Sequence, residues 1–524
     1  MCFLFNFRKL FNLLIYIKKV AFNFYRYLKF SIFVLPNKKN KMLHDKGTKL
    51  ISELKTYFSS TDKSIQTLFT LLRSLKLSVN VFKSVDKINS QYSGLQKLLL
   101  LMLFPLFDIK DVSHYKESAL YTLLHCGKDA FYRFMGNPDF SWRKLAYHFN
   151  MRLLKEVEKS SYINESKPVR CLIADDTDLP KRGRCFELLS RIYSHVTNSF
   201  NYGFKGLFLG YHDGTSFFGL DFSLHGEKGD EKKKNYKPYG LTDRQLKARY
   251  HKQRNELSAG KQRENEYFKT KTERLIEMVK TAISQGIRFD YLLTDSWFTN
   301  YNLVRFIVTR RIKCHFLGML KRGKTQYLYK GLLLNFCELL SRLKRSKMKY
   351  HKRINCYAYE ATVDFKGMEV KLFFCRMGKR GAWHGFLTTN TKLTFEKAFE
   401  IYATRWTIEV YFKECKQYLR LGKCESPDFD AQIAASTITM LQYNLFVVAK
   451  RFENYESFGT LFRAAKAELI ELNIKERLWL IIKEILTVLS NYFEIDVEWI
   501  AEHIIADNDQ LANVLNLDSI VNVA

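Results

Sequence analysis

The sequence predicts a mixed α/β fold that carries a β-rich insertion and is flanked on both sides by helical regions. Three observations predict it. VRCLIADDTDLP and FDYLLTDSWFTN are short apolar runs ending in aspartate, which read as strands with acidic ends. Between them YGFKGLFLGYHDGTSFFGLDFSL reads as two strands turned at Asp213-Gly214, a hairpin signal. Apolar residues before about 158 and after 394 recur instead at helical spacing. The order strand, hairpin, helix, strand gives a mixed sheet covered by helices.

Taken in order, residues 1–41 are rich in Phe, Leu and Ile but are interrupted by Arg8, Lys9, Lys18, Lys19, Arg26 and Lys29. No uncharged run there approaches the ~20 residues of a membrane span, and no small-residue cleavage site follows. The segment reads either as a basic amphipathic surface helix or as sequence upstream of a true start at Met42, so no stable membrane association is expected. Residues 42–165, with GLQKLLLLMLFPLF and WRKLAYHFNMRLLKEV, form a helical N-terminal domain suited to DNA binding or to packing on the rest. Residues 166–300 hold the two acid-ended strands, the hairpin and a long basic helical segment from EKKKNYKP to TAISQG. Residues 301–392 are strand-like in CHFLGML, RINCYAYEATVDF, MEVKLFFCRM and WHGFLTTN, and read as an insertion. Residues 393–450 return to helix, and 451–524 form a helical C-terminal region, a candidate for dimerisation.

Charge narrows the function. The 524 residues include 85 Lys plus Arg against 53 Asp plus Glu, a net charge of +32, which suits a polyanion such as nucleic acid. The ten cysteines form no C-x-x-C pair and no Cys/His cluster at zinc spacing, as expected of reduced thiols in a cytoplasmic protein. No P-loop, dinucleotide-binding turn or Ser/His/Asp arrangement stands out, which argues against those chemistries. The basic run Lys232 to Lys237 and the stretch Arg244 to Arg263 read as a surface for the DNA backbone, and His195 as a structural hydrogen-bonding group.

The most specific pattern lies in IYATRWTIEVYFKECKQYLR, residues 401–420. At about 100° per residue, a continuous helix places Tyr402, Arg405, Glu409 and Lys416 near 0°, 300°, 340° and 320°, all on one narrow face. Glu409 could then meet strand-end carboxylates at Asp175 or Asp176 and at Asp295. Three such carboxylates repel one another unless cations lie between them. Two magnesium ions ~3.5–4 Å apart would resolve that and serve phosphodiester chemistry, with Mn2+ as a possible substitute.

Tyr402, Arg405, Glu409 and Lys416 reproduce Y-x2-R-x3-E-x6-K, and the chain resembles DDE transposases of the insertion-sequence-four type, which carry that YREK motif. ADDTDLPKRGRCFELLSRIYSHV and LLTDSWFTN are similar to that family's first and second aspartate blocks. The resemblance spans about Cys171 to Leu445. It implies an RNase H-like catalytic core that binds the terminal inverted repeats of a mobile element, cuts DNA with two Mg2+ ions and transfers the freed 3′-hydroxyl into target double-stranded DNA. It also implies a homodimer on DNA and a cytoplasmic, nucleoid-associated bacterial setting. By position, Asp295 and Glu409 become metal ligands, and the first ligand is Asp175 or Asp176, with Asp-x-Thr spacing favouring Asp175. Because neighbouring strand residues face opposite ways, only one of the two can point into the site. Arg405 and Lys416 would hold phosphates, Tyr402 would donate its hydroxyl to a phosphate, and Trp297 or Trp383 would stack on a flipped base. An inactive transposon-derived DNA-binding protein, or another RNase H-like nuclease, are the alternatives.

Overall fold

A computed structural model describes residues 70–467, apart from 73–74, 78, 87–89, 119, 161–167, 230, 233–235, 310–313, 345–347 and 454. The readings of residues 1–41, and of the region beyond 467, lie outside the described residues.

The N-terminal part is helical. Its longer members are α1 (Gly94–Leu103), α2 (Lys128–Met135) and α3 (Trp142–Ser160). α1 begins where sequence dictates: the Ser93 hydroxyl accepts from the Gln96 N–H at 3.0 Å, and the Gln96 side chain accepts from the Ser93 N–H at 2.9 Å.

The sheet then forms in sequence order as β1 (Cys171–Pro180), β2 (Ser190–Ser194), β3 (Ser199–His212), β4 (Phe217–His225), β5 (Tyr291–Thr294) and β6 (His315–Met319). β3 pairs antiparallel with β1 and β4, while β1, β5 and β6 run parallel. The order β4-β3-β1-β5-β6, with only the β3 direction reversed, is the RNase H-like arrangement. Its centre is apolar on both faces: Leu172, Ile173, Ala174, Leu292, Leu293 and Leu317 are fully buried, as helix-covered parallel strands require. The β3–β4 hairpin turns where the sequence indicated. The Asp213 carboxylate accepts from the N–H groups of Thr215 and Ser216, and Gly214 takes φ +103°, a conformation that suits only glycine well.

Between β4 and β5 lie α4 (Ala259–Tyr267) and α5 (Lys271–Ser284), and α6 (Tyr301–Thr309) precedes β6. The remaining strands are β7 (Gln326–Tyr329), β8 (Leu332–Asn335), β9 (Lys349–His351), β10 (Cys356–Asp364), β11 (Glu369–Met377) and β12 (His384–Thr388), with α7 (Phe336–Leu343) between β8 and β9. β12 pairs with β6, so this β-rich part extends the core sheet and does not stand apart from it. α6 and β6, counted with the insertion from sequence, belong to the core: a short apolar run does not reveal that its partner is β5.

α8 (Phe395–Ala403), α9 (Trp406–Tyr418) and α10 (Phe429–Glu453) complete the described core. α10 is tied inward by a buried polar junction. Asn444 accepts from the Gly219 N–H at 2.9 Å and donates to the Gly219 carbonyl and to Asn150, each at 2.8 Å, joining α10, β4 and α3.

Two further expectations are corrected. The 401–420 stretch is not one α-helix, because Thr404 and Arg405 separate α8 from α9. The backbone stays right-handed there but its hydrogen bonds tighten to i→i−3, as in Arg405 to Tyr402 and Ile408 to Arg405. The long basic helical segment is likewise broken, since residues 248–258 form an irregular loop pinned by ion pairs. Arg254 binds Glu187 at 2.6 Å and Asp430 at 3.1 Å, and Lys252 binds Asp428 and Asp430 at 2.7 and 2.9 Å. Those cations, with the buried Arg263, face protein carboxylates and not solvent.

Candidate active site

Strand alternation sorts the carboxylates of β1. Asp175 and Thr177 face α9, and Asp176 faces α5. Arg405 donates from one guanidinium nitrogen to Asp175 Oδ2 at 2.9 Å and from another to Glu409 Oε1 at 2.5 Å. Lys416, two turns beyond Glu409, donates to Thr177 Oγ1 at 2.6 Å. Asp176 instead ion-pairs with Lys271 at the start of α5. Arg405 and Lys416 therefore meet the same stretch of β1, and Glu409 joins them through Arg405.

Asp295 follows β5, the parallel neighbour of β1. One of its oxygens accepts from the N–H groups of Trp297 and Phe298 at 3.0 and 3.2 Å, closing the turn after the strand. Burial, then the Asp295 charge, push the Asp175 carboxyl up to about 7, with Arg405 opposing them. Burial also raises the Asp295 pKa, with Asp176 adding to it and the two turn N–H groups opposing. Burial lowers the pKa of Lys416.

Tyr402 is placed differently from its expected phosphate contact. It is buried, its ring packs on Phe386 with centroids 4.7 Å apart, and its hydroxyl donates to the Thr294 carbonyl at 3.2 Å. It thereby fixes the end of the strand that presents Asp295. Trp297 is 51% exposed, unlike a core tryptophan, and the Lys271 ammonium lies 4.9 Å from its ring centre. Trp383 stacks on Tyr359 within the insertion, with the Arg376 guanidinium 4.9 Å from its ring. His195 is exposed, edge-on to Tyr193.

Lys271 was missed from sequence. Its helix start was legible from the Thr270–Glu273 capping box, but a lysine among many gives no sign that it will answer an aspartate 95 residues earlier.

All three carboxylates are hard oxygen donors suited to magnesium or manganese. Among the described residues no group of three or more His, Cys, Asp or Glu side chains is gathered tightly enough to hold one ion. The guanidinium of Arg405 lies between Asp175 and Glu409 and pairs with both.

Residues 118–328 match the family described as DDE superfamily endonuclease. This DDE-like segment takes in Asp175, Asp176 and Asp295 and stops before Glu409. No curated protein matches the chain. Among solved structures it is distantly similar to a piggyBac transposase in a cryo-EM synaptic complex with hairpin DNA, at 14% identity and a TM-score of 0.40, over 84% of this chain and 82% of that one. No helix among the described residues is long and apolar enough to cross a membrane.

Proposed function

We propose that the protein is a DDE transposase of the YREK type, which cuts DNA at the ends of a mobile element and joins the freed 3′-hydroxyl ends to target DNA. The observation that carries this reading is the contact of Arg405 with both Asp175 and Glu409, beside the strand end that bears Asp295. It unites acidic residues from β1 and α9 that lie 230 positions or more apart. The family match over residues 118–328 supports a DDE endonuclease.

In this proposal Asp175, Asp295 and Glu409 hold two divalent ions, with magnesium the natural occupant and manganese a substitute. When bound, such ions activate the attacking oxygen and stabilise the leaving one. Asp176 is a supporting residue, its charge taken up by Lys271. Arg405 has two roles: it pairs with Asp175 and Glu409 in the arrangement seen here, and it turns its planar fork to a DNA phosphate once those carboxylates are engaged elsewhere. Lys416 supplies a point charge to the same strand. Tyr402 acts as a positioning residue through the Thr294 carbonyl, and the exposed Trp297 offers a face for an unpaired base. Synapsis of two double-stranded terminal inverted repeats calls for a homodimer, and a bacterial nucleoid setting follows from the same reading.

The test is cleavage of the element's terminal repeats in magnesium, comparing the wild type with Glu409→Gln. The wild type is expected to nick, and the variant to bind without cutting. Equal cutting by both would reject the assignment. Strand transfer to a supercoiled target then separates a transposase from a plain nuclease.

A further inference from the structure

β3 runs past the end of β1, and there Ser199 to Tyr202 pair with β2 alone among the described strands. On one face of this two-stranded ribbon Ile192 is fully buried, opposite the exposed Asn201. The opposite face carries the cross-strand pairs Arg191–Tyr202 and Tyr193–Phe200. On it the Arg184 guanidinium lies 5.4 Å from the Tyr202 ring centre and that of Arg191 4.4 Å from the Phe200 ring. The Tyr193 ring meets Phe200 at 5.1 Å and His195 at 5.0 Å, both edge-on. The result is a ladder of Arg184, Tyr202, Arg191 and Phe200, continued toward the hairpin tip by the rings of Tyr193 and His195.

The ladder is open to solvent. Phe200 remains 56% exposed beneath its arginine, and Val196 at the tip is 92% exposed. Its acidic neighbour Glu227 is already engaged, accepting from the Tyr193 N–H at 3.0 Å and lying 3.4 Å from Lys205. Guanidinium groups with no carboxylate partner among the described residues suit phosphates, and exposed ring faces suit bases that have left their own stack. A protein partner would need complementary acid on so basic a chain, and a second copy carries the same net charge of +32.

We propose that the β2–β3 ribbon binds an unpaired DNA strand, with Phe200 and Tyr202 stacking on bases and Arg184 and Arg191 reaching the flanking phosphates. Phe200 lies eight residues along β3 from Phe208, the cross-strand partner of Asp175. At ~3.3 Å per residue the platform sits roughly 25 Å from the candidate active site. That separation suits capture of a displaced strand outside the site of cutting. The inference rests on DNA being the substrate.

The experiment uses the full chain and a forked duplex of arbitrary sequence with 2-aminopurine in one unpaired arm, alongside a blunt duplex. Wild-type protein should quench the 2-aminopurine. Phe200→Ala should lose the quenching and bind the fork roughly tenfold more weakly, in line with the loss of one base–aromatic stack, while blunt-duplex binding changes little. Phe200→Trp should restore both, and Glu409→Gln should leave both intact. Unchanged quenching and fork affinity in Phe200→Ala would overturn the proposal, as would a change confined to self-association in sedimentation. A wild type that quenches but never cuts terminal repeats sinks the nuclease reading and leaves the ribbon standing. Absent quenching with intact cleavage does the reverse.

Discussion

Two of the clusters of arginine and carboxylate among the described residues have opposite charge balance. In the inner cluster Arg143 binds Asp221 at 2.9 Å and Glu266 at 2.6 Å, and Arg263 and Arg274 lie within 3.7 Å of both acids. Three cations serve these two buried anions, and Arg274 also reaches the more exposed Glu277 at 3.1 Å. Burial pushes the Glu266 carboxyl up, but Arg263 and Arg143 outweigh it and hold the group at about 2. In the outer cluster one guanidinium serves Asp175 and Glu409 with Asp295 close by, and Asp175 is driven up to about 7. The first arrangement is electrostatically complete and joins α3, β4, α4 and α5. The second is short of positive charge, as the proposed metal site would be before its cations bind.

The contrast breaks most sharply at Arg143. Arg143→Met leaves the buried Asp221 and Glu266 with less compensation, and breaking a buried pair from one side costs about 3–5 kcal/mol. Urea unfolding should show that loss, while cutting per folded molecule stays near wild type. A variant as stable as wild type would mean that the inner cluster does not hold the core together.

Asp175→Asn tests the outer cluster with the opposite sign. Folding raises the carboxyl pKa from 3.8 to about 7, so the ionised form is the one the fold disfavours. Its cost is absent below the unfolded pKa, grows as pH rises from about 4 to about 7, and is then constant. Without divalent metal, Asp175→Asn should therefore be more stable than wild type at pH 8, by on the order of 1–2 kcal/mol after losing part of the Arg405 contact, and no more stable at pH 4. Thermal melts at the two pH values in chelator check this. A variant less stable than wild type at pH 8 would mean that Arg405 fully compensates the cluster. The inner cluster titrates the other way: the depressed Glu266 contributes stability that is present above about pH 4.5 and is lost as pH falls toward 2.

How much of this was legible follows from the range of each interaction. The acid-ended strands, the Asp213-Gly214 turn and the spacing of Arg405, Glu409 and Lys416 are local, and periods of 2 and 3.6 residues expose them. The tightened turn at Thr404–Arg405 was not legible, because αR backbone angles serve i→i−3 and i→i−4 bonding alike and packing chooses between them. The role of the 248–258 loop was hidden for another reason. Arg254 answers Glu187 and Asp430, 67 and 176 residues away, and composition alone makes such a cation look like DNA-facing charge. For Tyr402 the spacing was local, but whether its hydroxyl meets solvent or the Thr294 carbonyl depends on β5 lying under it.

The smallest stability effect is expected at Lys416, where the comparison is sharpest. Lys416→Met removes a hydrogen bond to Thr177 Oγ1, worth about 0.5–1.5 kcal/mol net. It also removes an ammonium whose charged form burial disfavours, with Asp178 opposing and the nearby Lys205 and Lys423 adding to it. These terms oppose each other, so the melting temperature should move little. Cutting should nevertheless fall at least tenfold if the ammonium serves a phosphate, and DNA binding should become less salt-sensitive by about one counterion. Lys416→Arg should recover part of both. A variant that loses stability and keeps cutting would place Lys416 with the structural cations of the inner cluster, and the distinction between a completed cluster and one awaiting its cations would then rest on Arg405 alone.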